Sequence, residues 1–426
     1  MDLNAEYLTG DSLKYFNMVQ KHMPTLLQIN TTLNSGSTGR IAEQIALLAE
    51  SKGWICYIAH GARYVNPSQV KSFQIGTKVG NIIHAIMGEY LGMHGFGSTL
   101  ATYWLIHRIK RIRPDVIHLH NLHGYYLNIA VLFRYLAKAN IPIVWTLHDC
   151  WSFTGHCTHF ENKGCYKWKT ECNHCPQLMA QYKSRLVDRS RKNHRIKKQL
   201  YGRVKNLVVV PVSQWLGGLV KDSILNDHEI RVIHNGIDLT LFKPVTTNLR
   251  VRLGIAEDKK MILGVVASGF KGKKEFIELS KVPEFQVVVV GVNTKWMDGI
   301  PDNMICIPRT NSQRELAEYY SAADVFVNPT YDDTFPTTNI EALACGTPVV
   351  TYRAGGSPEI IDQYTGLAVE RGDMTGLFNA IKTILRDGKQ MYSEACRKRA
   401  VDNYNKEERF RDYIELYNEL VKTKRS

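Results

Sequence analysis

Two acidic residues, Asp333 and Glu341, stand eight positions apart in the stretch DDTFPTTNIEALACGTPVV. Pro336 suits the first turn of a helix, because its φ is already helical and its missing N–H would have no partner there. The first amides of such a helix carry partial positive charge and form a natural anion site, here at Thr337, Thr338 and Asn339. Helical side chains tilt toward the N-terminus, so Glu341 leans toward whatever binds there. The stretch favours phosphate at the amides and sugar hydroxyls at the carboxylate, with an ordinary capped helix bearing a surface glutamate as the alternative.

A second helix N-terminus is predicted at the exit of the first strand, in NTTLNSGSTGRIAEQIA. Gly36 and Gly39 allow close backbone approach there, and Thr38 can cap the helix that follows. The pattern is neither the dinucleotide G-x-G-x-x-G nor a P-loop, because no G-K-[ST] follows it. It predicts a second ligand-binding turn, with a plain tight turn as the alternative.

These helix starts need parallel strands to position them. Short apolar segments alternate with amphipathic helical patterns along nearly the whole chain, which is typical of parallel sheets wrapped by helices. The predicted strands are TLLQIN, WICYIA, DVIHLH, PIVWTL, LVVVPVS, MILGVVAS, FQVVVVG, MICIP, DVFVNP and PVVTY, and helices are predicted to begin near Gly272, Ser312 and Pro336. The predicted fold class is α/β, with two doubly wound, Rossmann-like lobes joined around His234 to Pro244. Ligands of such sheets bind beyond the strand ends, in the cleft between the lobes.

Size and composition set further limits. With 426 residues and 44% hydrophobic content, the chain is too long for one core. No apolar run approaches the roughly 18 residues of a membrane-spanning helix. The first residues are polar and acidic, which argues against a secretory signal. Residues 1–23 are therefore interpreted as an extension, and the protein as cytoplasmic.

The chain is basic, with 54 Lys and Arg against 40 Asp and Glu, a net charge of +14. This surplus suits anionic lipid, nucleic acid or a phosphorylated substrate. Ten of the basic residues and a single Asp fall between Tyr182 and Asn206. The segment is interpreted as a solvated helix face, or as a membrane contact if Leu186 and Ile196 share a side with neighbouring apolar residues.

Five separated motifs resemble one family. They are DDTFPTTNIEALACGTPVV, GGSPE, HNGIDLTLF, DVIHLHNLHG and TLHDCWSFTGHC. In order and spacing they resemble the retaining GT-B glycosyltransferases of family four, in particular the polysaccharide and cell-wall branch, from about Leu26 to about Leu420. The resemblance implies an acceptor-binding domain at 24–238 with a cysteine-rich loop at 150–178, a donor-binding domain at 239–405, and a C-terminal helix at 406–426 that crosses back to the first domain.

The resemblance also implies roles for the donor-binding residues. Glu341 would hold the ribose hydroxyls, Asp333 would contact the donor sugar, and the amides after Phe335 and Pro336 would serve its pyrophosphate and sugar. Further donor-binding candidates are Gly36, Gly39 and Asn235, with Thr337, Thr338 and Asn339 at the helix start. Asp333 stands where the family usually has Glu, which sets its carboxylate back by one carbon, about 1.5 Å. The neighbouring Asp332 is an alternative contact.

Positive charge is expected beside the departing diphosphate, because it stabilises the leaving group. The family usually places an Arg and a Lys-Gly pair after the first strand of the donor lobe. The segment VVASGFKGKKEF keeps Lys271 and Gly272 but has Ser268 in place of the Arg. Lys271 is the predicted catalytic cation, with Lys273 or Lys274 as compensating alternatives.

Three histidines, His118, His120 and His123, lie in DVIHLHNLHG. Strand alternation puts His118 and His120 on the same face of a buried strand, which favours a structural role for His118 over a metal site. By resemblance, His120 is the substrate-facing histidine near the reacting sugar. His148 and Asp149 follow the next strand and are predicted acceptor contacts.

The implied reaction moves a sugar, with retention, from a nucleotide-diphosphate sugar to a saccharide or lipid-linked saccharide, with a UDP-sugar favoured over a GDP-sugar. Same-face displacement needs no protein nucleophile if the diphosphate takes the acceptor's proton, and no catalytic metal if helix amides and Lys271 balance its charge. A double displacement through Asp333 is the alternative mechanism. Peripheral contact with the inner face of an anionic membrane is expected, and a nucleic-acid partner is not. The alternative functions are a zinc-containing nucleic-acid-binding protein and a GT-B nucleotide-sugar epimerase.

Four of the nine cysteines cluster in CTHFENKGCYKWKTECNHC. They are Cys157, Cys165, Cys172 and Cys175. Disulfides rarely persist in the cytosol, so clustered thiols that end in C-x-x-C predict a structural zinc site. Such an ion would hold together a loop too polar to fold by burial alone. Reduced thiols are an equal alternative, and disulfides a third.

Overall fold

The secondary structure follows the predicted alternation of strands and helices. A computed structural model of the protein describes residues 23–266 and 271–425. The strands in these ranges are β1 (Thr25–Asn30), β2 (Ile55–His60), β3 (Lys71–Gln74), β4 (Val116–Leu119), β5 (Ile143–Leu147), β6 (Leu207–Pro211), β7 (Glu229–Ile230), β8 (Lys260–Val265), β9 (Phe285–Val290), β10 (Ile305–Ile307), β11 (Val325–Asn328), β12 (Val349–Tyr352) and β13 (Gly366–Val369). The α-helices are α1 (Gly36–Ser51), α2 (Lys78–Leu91), α3 (Thr99–Ile112), α4 (Ile129–Leu136), α5 (Ser190–Tyr201), α6 (Gln214–Lys221), α7 (Leu249–Arg252), α8 (Lys273–Ser280), α9 (Gln313–Ala322), α10 (Thr337–Ala344), α11 (Ser357–Ile360), α12 (Met374–Asp387), α13 (Gln390–Tyr404) and α14 (Lys406–Arg425).

The first lobe is built on a seven-stranded sheet in the order β3-β2-β1-β4-β5-β6-β7, and its paired strands are parallel. Strands β1, β4, β5 and β6 are buried along their whole length, as expected where helices cover both faces of a parallel sheet. The carboxyl ends of β1, β4 and β5 meet at one edge of the sheet. The loops that follow Asn30, Leu119 and Leu147 are therefore neighbours.

The second lobe has a six-stranded sheet in the order β10-β9-β8-β11-β12-β13, also parallel throughout its pairs. The ends of β8 and β11 lie side by side, which brings Lys271 close to the loop at 329–336. The prediction of an α/β protein with two Rossmann-like lobes is confirmed.

The ten predicted strands are all present, within a few residues of their expected bounds. Three strands were not predicted: β3, β7 and β13. Each of these lies at a sheet edge. An edge strand is short or partly exposed, so its sequence lacks the buried apolar run that marks a central strand.

The C-terminal helix α14 packs on the first lobe, against α1 and β4. The Tyr417 hydroxyl lies 2.6 Å from His118 Nδ1, and the Thr146 hydroxyl donates to the Tyr413 oxygen at 3.1 Å. His118, Tyr413 and Tyr417 are all buried. Helix α14, which follows the second lobe in the sequence, thus completes the core of the first lobe.

Two interpretations concern residues outside those described: the extension, apart from Met23, and Ser268. Among the described residues, we find no helix with the length and apolar character needed to span a bilayer.

Candidate functional site

The acidic stretch forms the loop between β11 and helix α10. Helix α10 begins at Thr337, and Pro336 precedes it with φ −67° and no side-chain capping bond. Asp333 Oδ1 accepts a hydrogen bond from the Phe335 N–H at 3.2 Å. The carboxylate therefore braces the backbone that leads into the helix, while the start of the helix has no N-cap side chain.

Two glycines of the GGSPE motif hold this acidic loop in place. Gly355 has φ +56°, and a Cβ there would lie 1.6 Å from the Asp333 carbonyl oxygen. A Cβ on Gly356 would lie 2.3 Å from the Thr334 carbonyl oxygen. Only glycine permits this approach, which explains why GGSPE accompanies the acidic stretch.

Glu341 is buried near the start of α10, with 8% of its surface exposed. The Tyr320 hydroxyl donates to its Oε2 at 2.9 Å. Burial raises the pKa of Glu341 to about 7, although Tyr320 and the nearby Arg40 act in the opposite direction. The carboxylate therefore titrates near neutral pH. Hydrogen bonds from the hydroxyl groups of a ligand would favour its ionised form.

The two lobes enclose a cavity of about 400 Å³ between the acidic loop and the strand exits of the first lobe. The predicted site residues that line it are Gly36, His148, Asp149, Asn235, Lys271, Asp333, Phe335, Pro336, Thr337, Thr338 and Glu341. A cavity of about 680 Å³ shares Lys271, Asp332 and residues of the cysteine-rich loop with it. Residues distant in sequence are thus brought together in one interlobe cleft.

Three predicted site residues, Gly39, Asn339 and His120, lie behind this cavity. A Cβ on Gly39 would lie 2.7 Å from Thr32 Oγ1, so Gly39 permits close packing of its loop. Asn339 is buried, and its Oδ1 accepts from Asn328 Nδ2 at 2.8 Å. Helix α1 begins at Gly36. The expectation that Thr38 caps this helix is therefore wrong, because Thr38 lies within its first turn.

Of the two predicted site histidines, His148 lines the cavity and His120 is buried behind it. His120 Nδ1 lies 3.2 Å from His148 Nε2, and His120 Nε2 lies 2.8 Å from Gln28 Oε1. Burial lowers the pKa of His120 well below its ordinary value and that of His148 to about 4. Both rings are therefore neutral at pH 7. Because Gln28 Oε1 only accepts, His120 donates to it from Nε2 and accepts from His148, which leaves His148 Nδ1 as an acceptor.

Lys271 is the lysine that reaches both cavities, and its Nζ donates to the Asp332 carbonyl at 3.3 Å. Lys273 instead donates to the carbonyls of Trp296 and Asp298. Lys274 is exposed and lines neither cavity. Of the three candidate cations, only Lys271 faces the cleft.

Comparison with known proteins agrees with this geometry. The family described as Glycosyl transferases group 1 matches residues 245–402, and Glycosyltransferase Family 4 matches residues 78–241. Together the two matches cover well over half of the chain. The chain belongs to the family 4 glycosyltransferases.

One relative of this glycosyltransferase is WcaC of Escherichia coli K12, whose name assigns it to the glycosyl transferases of colanic acid biosynthesis. The two are 24% identical over 93% of this chain and all of WcaC. The structure of sucrose-phosphate synthase from Thermosynechococcus elongatus superposes with a TM-score of 0.71 at 20% identity, over 94% of this chain and all of that one. Anabaena HepE in complex with UDP-glucose superposes with a TM-score of 0.62 at 16% identity, over 93% of this chain and 99% of that one. These likenesses confirm the GT-B fold.

The glycosyltransferase also contains a hydrogen-bonded chain that the motifs did not indicate. Asp149 Oδ2 lies 2.7 Å from His123 Nε2, and the Tyr182 hydroxyl lies 2.6 Å from His123 Nδ1. Burial raises the pKa of Asp149, but His123 and the Trp151 N–H outweigh it, so that this pKa falls below its ordinary value. The carboxylate thus accepts from His123, which accepts from Tyr182 on the wall of the larger cavity. No local pattern indicates Tyr182 as a site residue, because it lies 59 positions from His123.

The cysteine-rich loop of the glycosyltransferase reaches across the cleft to the second lobe. Glu161 Oε2 accepts from the Gly355 N–H at 3.0 Å, and the Asn162 N–H donates to Asp332 Oδ1 at 3.2 Å. Nearby, the Thr334 hydroxyl donates to the His148 carbonyl at 2.7 Å. The loop therefore forms one wall of the site, and the Asp332 carboxylate is engaged by it.

The four clustered thiols lie close together. Cys157 and Cys175 are hydrogen-bonded through their side chains, and the Gly155 N–H donates to Cys172 Sγ at 3.2 Å. All four cysteines are free. Within residues 23–266 and 271–425, no group of three or more His, Cys, Asp and Glu side chains is arranged to hold a metal ion. Zinc binding by Cys157, Cys165, Cys172 and Cys175 stays a prediction.

Elemental analysis separates bound zinc from reduced thiols. If zinc is bound, protein purified without chelator contains about one zinc per chain, as in a closed four-thiolate site. The double variant Cys172→Ser/Cys175→Ser then loses the metal, whereas Cys306→Ser, outside the cluster, retains it. Zinc-free protein whose four thiols all react with a thiol reagent contradicts the prediction.

Helix α5 has the predicted solvated basic face, where Arg191, Lys192, Arg195 and Lys198 are exposed, and Lys197 is an exception to it. In α5, Lys197 is buried and donates to the carbonyls of Trp151 and Thr154 at 2.5 and 3.0 Å. Ile196 packs against the core, whereas Leu186 is exposed. The two apolar residues therefore do not share a surface, and the condition for a membrane contact through a joint face of Leu186 and Ile196 is not met.

Substituting Gly355 by alanine is expected to disturb the acidic loop. Its Cβ would overlap the Asp333 carbonyl, and overpacking of this kind costs roughly 1–3 kcal/mol. We expect a lower melting temperature and weaker nucleotide binding, measured by differential scanning fluorimetry and calorimetry. Gly218→Ala in α6 is the matched control, because a Cβ there meets nothing within 4 Å. Equal behaviour of the two variants would show that the Gly355 contact does not shape the loop.

Proposed function

We propose that the protein transfers a sugar, with retention of anomeric configuration, from a UDP-sugar to a saccharide or lipid-linked saccharide during polysaccharide synthesis. One observation carries the proposal. Glu341, the start of α10 and Lys271 line the same interlobe cavity as His148 and Asp149. The colanic acid biosynthesis named for WcaC supports the polysaccharide part, and the UDP-glucose named for HepE supports the donor.

In this proposal the second lobe holds the donor. The diphosphate lies at the amides of Thr337 and Thr338, where the helix dipole favours negative charge. The ribose hydroxyls donate to the Glu341 carboxylate, whose Oε2 also accepts from Tyr320. Asp333 is assigned the donor sugar, because it has the family's spacing from Glu341, and the carboxylate of Asp332 binds the Asn162 N–H of the cysteine-rich loop.

The chemical step is a displacement on one face of the sugar. The bond between the anomeric carbon and the diphosphate oxygen breaks, and a bond from that carbon to the acceptor oxygen forms on the same face. The acceptor's hydroxyl proton passes to the departing diphosphate oxygen. Lys271 and the α10 amides stabilise the negative charge that develops on the diphosphate. Asp333 Oδ1 is held by the Phe335 N–H, which supports a positioning role for this carboxylate over attack on the sugar.

The donor is identified by calorimetric titration of the protein with UDP, GDP and their common sugar conjugates. We expect UDP and one UDP-sugar to bind, and GDP to bind more weakly. The anomeric configuration of the product, read by NMR with a candidate acceptor, tests retention. An inverted product overturns the mechanism, and tight GDP binding without UDP binding overturns the donor.

The two alternative functions predict other results. A nucleic-acid-binding protein would bind duplex DNA with steep salt dependence and would not respond to nucleotide sugars. An epimerase would convert its nucleotide sugar without an acceptor. Release of free UDP only when an acceptor is present supports the transferase.

A further inference from the structure

In helix α2 (Lys78–Leu91), most of the apolar side chains are exposed and the buried positions are polar or glycine. Its buried positions are Asn81, His84 and Gly88, whereas its apolar side chains face outward. Val79, Ile82, Ile83, Ile86, Tyr90 and Leu91 are between 43 and 67% exposed. A helix between a protein core and water normally has the opposite arrangement. The exposed stripe therefore indicates a surface that is covered by something other than water.

Neighbouring elements extend this stripe. In helix α3, Leu100, Tyr103 and Trp104 are exposed, Leu100 by 84%. The two helices meet where His84 Nδ1 lies 2.9 Å from the hydroxyl of Ser98, the residue before α3. At the other end of α2, the Leu186 N–H donates to the Tyr90 carbonyl at 3.3 Å, and Leu186 is 73% exposed. We call this combined surface of α2, the start of α3 and Leu186 the apolar face.

Basic residues border the apolar face. The segment 71–113 contains six Lys and Arg residues and a single acid, Glu89. Glu89 is paired with Arg185 at 2.6 Å. Lys110 and Arg111 in the last turn of α3, and Arg113 just after it, are exposed. The face therefore combines apolar side chains with neighbouring sequence in which basic residues outnumber acidic ones.

We propose that the apolar face binds the surface of a bilayer that contains anionic lipid. Exposed Ile, Leu, Tyr and Trp side chains suit the boundary between headgroups and acyl chains, and a basic border is attracted to anionic headgroups. A second copy of this chain is the less suitable occupant, because two copies would bring like-charged borders together. The proposal moves the membrane contact from the basic helix α5 to helices α2 and α3.

The apolar face lies close to the acceptor side of the cleft. His84, on the buried side of α2, packs edge-on against Tyr125 with ring centroids 5.6 Å apart. Tyr125 packs against Tyr182 at 5.7 Å, and Tyr182 lines the larger cavity. Three successive rings, those of His84, Tyr125 and Tyr182, thus connect the buried side of α2 with the cavity. If the proposed sugar transfer is correct, this placement favours an acceptor carried by a lipid in the membrane.

The test measures co-sedimentation of the full chain with vesicles, without donor or acceptor, so that its outcome is independent of the proposed function. Vesicles of phosphatidylcholine alone are compared with vesicles containing phosphatidylglycerol. The test variant is Ile82→Ser/Ile83→Ser/Ile86→Ser, since serine and isoleucine have similar helix propensities. Val251→Ser/Met391→Ser/Val401→Ser is the matched control, because it removes three exposed apolar side chains from the second lobe. Melting temperatures verify that each variant is folded.

We expect binding to the anionic vesicles, reduced about tenfold or more in the isoleucine variant and unchanged in the control. Lys110→Glu/Arg111→Glu should reduce binding to a similar degree, whereas Lys192→Glu/Lys198→Glu in α5 should not. The proposal is overturned if the wild-type protein does not sediment with anionic vesicles, or if the isoleucine variant binds them as well as the wild type does. So does loss of binding only in the α5 variant. A wild-type dimer that the isoleucine substitutions convert to a monomer, with no vesicle binding, would assign the face to a second copy instead.

Discussion

Replacing Glu341 by glutamine is expected to weaken donor binding and, at the same time, to stabilise the ligand-free protein. Hydrogen bonds from ribose hydroxyls to a carboxylate contribute about 1.5–3 kcal/mol, so the donor dissociation constant should rise roughly 10- to 100-fold. The same carboxylate is buried, and its pKa is raised from 4.5 to about 7. Ionising it therefore costs free energy in the folded protein. Glutamine keeps the shape of the side chain and removes that charge.

The stabilisation depends on pH in a defined direction. Between pH 4.5 and about 7, folded Glu341 holds a proton that the unfolded chain has released. The wild-type protein therefore loses stability as the pH rises through this window, by up to about 3 kcal/mol. Glu341→Gln does not titrate, so its advantage in melting temperature should be small at pH 4.5 and full at pH 8. Donor affinity of the wild type should increase across the same window, because binding requires the carboxylate.

Calorimetry with UDP and melting curves at several pH values measure both effects. Glu257→Gln is the control, because Glu257 is an exposed carboxylate in a turn of the same lobe. Unchanged UDP affinity in Glu341→Gln would remove the ribose assignment. An equal melting temperature for wild type and Glu341→Gln at pH 8 would contradict the raised pKa.

Replacing Lys271 by alanine is expected to slow the reaction strongly. If its ammonium group stabilises the departing diphosphate, kcat should fall by about 10²–10³, as on removal of one charge-stabilising donor. The KM for the donor should change less, because the charge to be stabilised develops in the transition state. Steady-state kinetics with the UDP-sugar found by titration provide the measurement.

Lys273→Ala is the control for this substitution. Lys273 lies two positions away, but its amine donates to the Trp296 and Asp298 carbonyls and does not line the cleft. We expect it to keep near wild-type kcat. If kcat falls as far in Lys273→Ala as in Lys271→Ala, the catalytic charge is not supplied by Lys271 alone.

Features that depend on local sequence were predicted well. The start of α10 beside Pro336 follows from local proline geometry, and the central strands follow from buried apolar runs. His118 was assigned a structural role from strand alternation alone. It is fully buried, bonded to Thr146 and Tyr417.

Features that depend on tertiary packing were not predicted. The link between His123 and Tyr182 joins residues on separate elements, and no local pattern encodes it. His120 and His148 each follow the end of a strand, and only the packing shows that His148 lines the cavity. Helix α2 has an ordinary amphipathic pattern in sequence. Only its packing shows that the His84 side is buried and the isoleucine side is exposed.

The placement of α14 constrains how the chain can be synthesised and divided. The hydroxyl groups of Tyr413 and Tyr417 complete hydrogen bonds beneath β4 and β5, yet both tyrosines follow the whole second lobe in the sequence. The first lobe therefore finishes folding only after the second has been translated. A fragment that ends near residue 238 would expose the apolar underside of its own sheet to solvent and aggregate, whereas joining α14 to it by a short linker should restore a soluble lobe.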